Sequence, residues 1–232
     1  MKLRKKLIAT MVAAVAVCAV ALTGCQQKLD PADQVIGALY DLAAKDDPVP
    51  MKDLLGFASE EDVRKSLVEG GEAADFVEEF KKEFTDAGID FTDEELQEMT
   101  DQLTGLLTKL SYTAEITEQS SKETTVVLHV KGYSNSDMEQ ITVDLSEKAL
   151  TEMDEETQMA IATGDEEATM KFMQQFMKDY VAAVAEMDPT VDTDITVKCE
   201  KLKLDVSGKE KVAWLPSDMA KFESDVEASI MK

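Results

Sequence analysis

Ser111-Tyr112-Thr113-Ala114-Glu115-Ile116 and, a short connection later, Thr124-Thr125-Val126-Val127-Leu128-His129-Val130 decide the fold. Tyr112, Ala114 and Ile116 alternate with polar residues, and so do Val126, Leu128 and Val130 with their neighbours. That is the period of an extended strand with one face turned to a core. The polar connection over 118–123 makes the two runs an antiparallel hairpin. Immediately upstream the period is three-four: Leu96, Met99, Leu103, Leu106 and Leu110 follow a capping-box pair, Thr92 and Glu95. The change at Ser111 is therefore the main boundary inside the chain.

Working outward, the N-terminal third reads as helical. Asp30-Pro31 reads as an N-cap followed by proline at the first helical position, Val35, Ile36, Leu39 and Ala43 form one stripe, and Asp46-Asp47-Pro48 stops the helix. Short helical pieces are expected over 51–57 and 59–69, broken by Gly70-Gly71. Phe76, Phe80 and Phe84 then form an aromatic ridge ending near Gly88. Downstream of the hairpin, a third short strand is expected over 140–145. A long helix follows, with the stripe Met170, Met173, Met177, Tyr180, Val184 and Met187, and Asp188-Pro189 ends it.

A second strand pair follows over Val191–Val206 and 211–215, turned at Ser207-Gly208. Its apolar positions pass from odd (Ile195, Val197, Cys199) to even (Leu202, Leu204, Val206), which predicts a β-bulge near Glu200 or Lys201. Pro216-Ser217 introduces a short closing helix, with Ser217 as its N-cap candidate. The expected fold class is α+β, with N-terminal helices and a long mid-chain helix on a curved antiparallel sheet, because the strands are joined as hairpins and not by βαβ crossovers.

The first 25 residues stand apart. Lys2, Arg4, Lys5 and Lys6 precede a 16-residue apolar run from Leu7 to Leu22, short of the roughly 18 to 20 residues that span a bilayer. Leu22-Thr23-Gly24-Cys25 closes it and resembles the lipobox of bacterial lipoprotein signal peptides. That resemblance implies a signal peptide over 1–24, cleavage before Cys25 and a diacylglyceryl group on its thiol. Palmitate-type chains in pairs give stable anchoring where one chain does not. Residues 25–29 are then a short anchored linker, and 30–232 a single ectodomain on the extracytoplasmic face of the cell membrane.

Charge narrows the partners. The chain carries a formal charge of −24, and without residues 1–24 it would be 208 residues at −28. Such a chain repels phosphates, which excludes nucleic acid, and it repels anionic headgroups, so the lipid on Cys25 must supply the membrane contact. The same charge keeps the domain soluble and favours cations or basic partners. Cys18 lies in the signal segment and Cys25 takes the lipid, leaving Cys199 with no partner for a disulfide. On a strand beside Ile195 and Val197, Cys199 reads as a small buried apolar residue.

No constellation of catalytic residues is legible. His129 is the sole histidine, which rules out a His-rich zinc site, and it reads as a strand residue facing the same way as Thr125, Val127 and Lys131. Asp188, Asp192 and Asp194 lack the glycine turn and closing glutamate of a calcium loop. Asp165-Glu166-Glu167 reads as negative charge at a helix N-terminus. The methionine stripe reads as core, with a pliant apolar surface as its alternative. Neither GxxxxGK[ST] nor GxGxxG occurs. No catalytic, cofactor or metal residues are therefore expected.

The order of helices, a Tyr112-centred hairpin, a long helix and a strand pair bearing Lys211-Val212-Ala213-Trp214 resembles a family of Gram-positive-type bacterial lipoproteins. Their ectodomains are similar to nuclear transport factor 2-like or cystatin-like α+β domains. The resemblance implies a lipid-tethered, non-catalytic ectodomain that binds a small molecule or another envelope protein, and it supplies no catalytic residues. The alternative is an envelope hydrolase with paired carboxylates in the sheet cleft. A two-lobed solute receptor is disfavoured by the absence of repeated βαβ units.

Overall fold

A computed structural model describes residues 29–68 and 76–232. Cys25 and the whole signal segment lie outside the described residues, as do Gly70-Gly71 and the side chains of Phe76 and Phe80. In chain order the elements are α1 (Ala32–Lys45), α2 (Val49–Leu55), α3 (Glu60–Leu67), α4 (Phe76–Asp86), α5 (Asp93–Lys109), β1 (Ser111–Gln119) and β2 (Glu123–Gly132). There follow α6 (Asn135–Glu152), α7 (Glu155–Ala162), α8 (Glu166–Ala185), β3 (Val191–Val206), β4 (Lys209–Pro216) and α9 (Met219–Ile230). The fold class is α+β, with helices packed on an antiparallel sheet. The elements form two compact units.

The first unit contains α1–α3, the sheet and α9. Its four strands lie in the order β1-β2-β3-β4, all antiparallel. The second hairpin turns at Ser207 and Gly208, both with positive φ (52° and 82°), the pairing that the twist of two antiparallel strands prefers. Glycine is needed at position 132 for another reason. A Cβ there would lie 1.9 Å from the Ser229 carbonyl oxygen, so its absence lets the end of α9 approach β2.

Helix α1 packs against β1, β2 and β4 and is buried nearly all round, well beyond the single stripe its sequence displays. Gly37 admits the Tyr112 ring, whose hydroxyl donates to Asp41 at 3.0 Å, while Lys45 pairs with the same carboxylate at 2.7 Å. Burial first, and the Asp41 charge second, hold the Tyr112 hydroxyl far above the usual tyrosine range.

The second unit is helical. Helix α8 packs against α5, α6 and α7, and α4 packs against α5. The Thr92/Glu95 box forms as expected: Thr92 N–H donates to Glu95 Oε2 at 2.9 Å and Glu95 N–H to Thr92 Oγ1 at 3.3 Å. Glu95 also pairs with Lys178 of α8. Lys109, at the end of α5, donates to the Ala185 and Met187 carbonyls at 3.0 and 2.9 Å, supplying a cation where α8 leaves its carbonyls unpaired. Asp165 accepts from Ala168 N–H at 3.0 Å and caps α8, as its position in the sequence implies.

Four local expectations need correction. Residues 140–145 are not a strand but the middle of α6, whose start is fixed by Ser134 accepting from Asp137 N–H at 3.2 Å and whose face is tied by Gln140 to Asp144 at 2.7 Å. No bulge lies near Glu200 or Lys201, because β3 pairs with β4 without a break from Cys199↔Pro216 to Val206↔Lys209. The buried side of β3 changes because its later half is covered by α3, with Ser66 Oγ donating to the Asp205 carbonyl at 2.7 Å. The register shift falls instead between Ile116 and Glu118 of β1. Finally, Asp30 is not the cap of α1 but pairs with Lys211 at 2.9 Å, and α9 is capped by Asp218 while Ser217 Oγ donates to the Lys198 carbonyl at 3.1 Å.

Candidate functional site

Two features of the first unit meet on β3. The first is an exposed polar strip across three strands. His129 of β2 lies directly opposite Asp194 of β3, and Glu115 of β1 approaches from the other side. Imidazole Nδ1 is 2.6 Å from Asp194 Oδ1, and Nε2 is 3.5 Å from Glu115 Oε1. The hydrogen bond to Asp194 leads in pushing the His129 proton affinity above the usual histidine range, with Glu115 adding to it. An orienting acid, invisible in the linear sequence, is thus present. A carboxylate at each ring nitrogen favours the imidazolium form over a base with a free lone pair.

The three aspartates around the β3 start are each paired with a different base: Asp188 with Lys109, Asp192 with Lys131 (both 3.7 Å) and Asp194 with His129. They do not converge, and among the described residues no group of three metal-ligating side chains occurs. Cys199 is buried in β3, and desolvation pushes its thiol up to about 12, which keeps it protonated and inert. Asp46 is a carboxyl whose proton affinity burial raises, with the neighbouring Asp47 charge adding to it, while the Arg64 guanidinium that pairs with it works in the opposite direction. The methionine stripe of α8 is half-buried, and the side chains that α8 buries fully are Val181 and Val184.

The second feature is a groove of about 680 Å³ between β3 and α9, lined by residues 193–198 of the strand and by Asp218, Lys221, Phe222 and Asp225 of the helix. It exists because β3 has 16 residues and β4 only 8. β4 covers the strand from Cys199 onward; beyond Pro216 the chain turns into α9 and leaves the earlier half of that edge open. Ser217 N–H donates to the Lys198 carbonyl at 2.8 Å and closes the groove at one end, and Lys232 Nζ lies 3.2 Å from Thr193 Oγ1. The linear sequence does not display this site. Its signal was the unequal length of the two runs either side of Ser207-Gly208.

No protein-family model matches the chain, and no curated protein matches it. Among solved structures it is similar to "a putative lipoprotein (ycdA)" from Bacillus subtilis subsp. subtilis str. 168, with 16% identity and a TM-score of 0.50. The match covers 87% of this chain and 56% of the other, so the chain spans little more than half the length of that neighbour. At this identity the likeness is one of fold. It gives no support to the nuclear transport factor 2-like or cystatin-like assignment. Among the described residues no helix is long and apolar enough to cross a membrane.

Proposed function

We propose that the chain is a lipid-anchored extracytoplasmic lipoprotein whose ectodomain binds a partner and performs no chemistry. Leu22-Thr23-Gly24-Cys25, after a basic start and an apolar run too short to span, is the observation that carries the anchor. The fold likeness to a protein described as a lipoprotein agrees with it. Cys25 holds the membrane through its lipid, and the acidic ectodomain stays off the headgroups. Binding in place of catalysis is supported by the neutralised acids around β3, the doubly engaged His129 and the groove beside α9.

Cells expressing the full chain and fed labelled palmitate are expected to incorporate label at Cys25 and to retain the protein in the membrane fraction. The Cys25→Ser variant is expected to lose the label and to be released. A serine variant that still sediments with membranes would sink the anchor.

A further inference from the structure

In an antiparallel ladder, alternate residues turn their N–H and C=O to opposite sides of the strand. The Lys198 carbonyl accepts from Ser217, so even-numbered residues of β3 turn their backbone groups away from β2 and toward the groove. Asp194 and Thr196 therefore each aim one donor and one acceptor into the lane that β4 has left. Among the described residues no hydrogen bond takes up these groups. Phe222, Ile195 and Val197 are buried beneath that lane and form its floor, with Lys221, Asp225 and Lys232 at its rim.

An open edge beside a helix fits an added strand. A second copy of this chain is the poor occupant. Ser217 fills the position opposite Lys198, so self-pairing of the remaining edge would centre on Asp194 and set two Asp194 carboxylates face to face, on a chain of net charge −24. Asp192 and Asp194 point to the exposed polar face and already pair with Lys131 and His129 of β2 on one side; a lysine or arginine on an added strand would flank them from the open side, where each carboxylate has lone pairs left.

We infer that the open edge of β3 is a strand-addition site for an extended peptide segment with basic residues at alternate positions, supplied by a partner protein. This rests on the binding role proposed above, but its test does not depend on the lipid.

The probe is a synthetic nonapeptide alternating lysine and valine, titrated onto the full chain in detergent micelles. Binding is expected with slowed hydrogen exchange at the Asp194 and Thr196 amides. N-methylation of the peptide at lane-facing positions is expected to weaken binding about tenfold or more, and methylation of the intervening amides to leave it unchanged. Replacing lysine by glutamate is expected to abolish binding. Thr196→Pro, which removes one edge donor at a position an edge strand tolerates, is expected to bind weakly while folded; the methylated peptides carry the test if it does not fold. Absence of binding, indifference to which amides are methylated, or a dimer with edge amides already protected would each overturn the proposal. Those outcomes leave palmitate labelling at Cys25 untouched, so failure of the site and failure of the anchor are distinguishable.

Discussion

In the first unit, Val126, Leu128 and Val130 of β2 and nearly every residue of α1 are shut away from water, whereas in the second unit α6 and α7 bury no residue at all and α8 fully buries only Val181 and Val184. The first unit owes its order to a dry core, where each side chain is held by dispersion and by the cost of a cavity. The second buries far fewer apolar side chains, chiefly Leu96 and Met99 of α5 and Val181 and Val184 of α8, and leans more on caps and ion pairs between half-wet helices, each contribution small and exposed to pH and salt. A binding edge belongs on the first kind of scaffold, because backbone donors can be presented in register only by a strand that does not itself move.

Matched truncations test that contrast most severely. Leu128→Ala, at a fully buried site in the central sheet, is expected to cost about 2–5 kcal/mol. Leu150→Ala, in α6 where the leucine is 67% exposed, is expected to fall within about 0.5 kcal/mol of the parent. Urea unfolding of both variants supplies the comparison, and equal costs would break it.

A smaller effect sharpens it. The hydrogen bond from Lys178 comes first, and those from Thr92 second, in lowering the Glu95 proton affinity to about 2. Its folded value lies below its unfolded one, so the stabilisation is present above the ordinary glutamate range and is lost as pH falls from there toward about 2. Glu95→Ala removes both the return half of the capping box and the pair to α8, and is expected to cost about 1 kcal/mol at neutral pH. Acid titration followed by helix-specific circular dichroism should show the second unit losing helix in that window in the parent and at higher pH in the variant.

The hairpins were legible in the sequence because a strand with one dry face must alternate, and Ser207-Gly208 states its own turn. The Thr92/Glu95 box was legible because it is local. Residues 140–145 were misread for the converse reason: α6 buries nothing, so no core imposes a period, and the chance alternation of Ile141, Val143 and Leu145 outvoted the cap at Ser134. The parity change in β3 was visible, but its cause was α3 on the far side of the chain, which no local pattern reports. His129 and Asp194 are 65 residues apart and meet only through strand register. Of the site, then, the residues were on view and their juxtaposition was not.

The gentlest test falls on that pair. His129 has a folded proton affinity above its unfolded one, so its pairing with Asp194 stabilises fully below the ordinary histidine range and fades as pH rises through the folded value. Histidine ring resonances followed by NMR should titrate above that range in the parent chain and fall back toward it in Asp194→Asn, with Glu115→Gln giving a smaller displacement because its oxygen stands farther off. Since the ring is exposed, unfolding midpoints should barely move. If Asp194→Asn left the titration unchanged, the strand register that aligns β2 with β3 would not hold in solution, and the edge of β3 would lose the alignment that makes it a template.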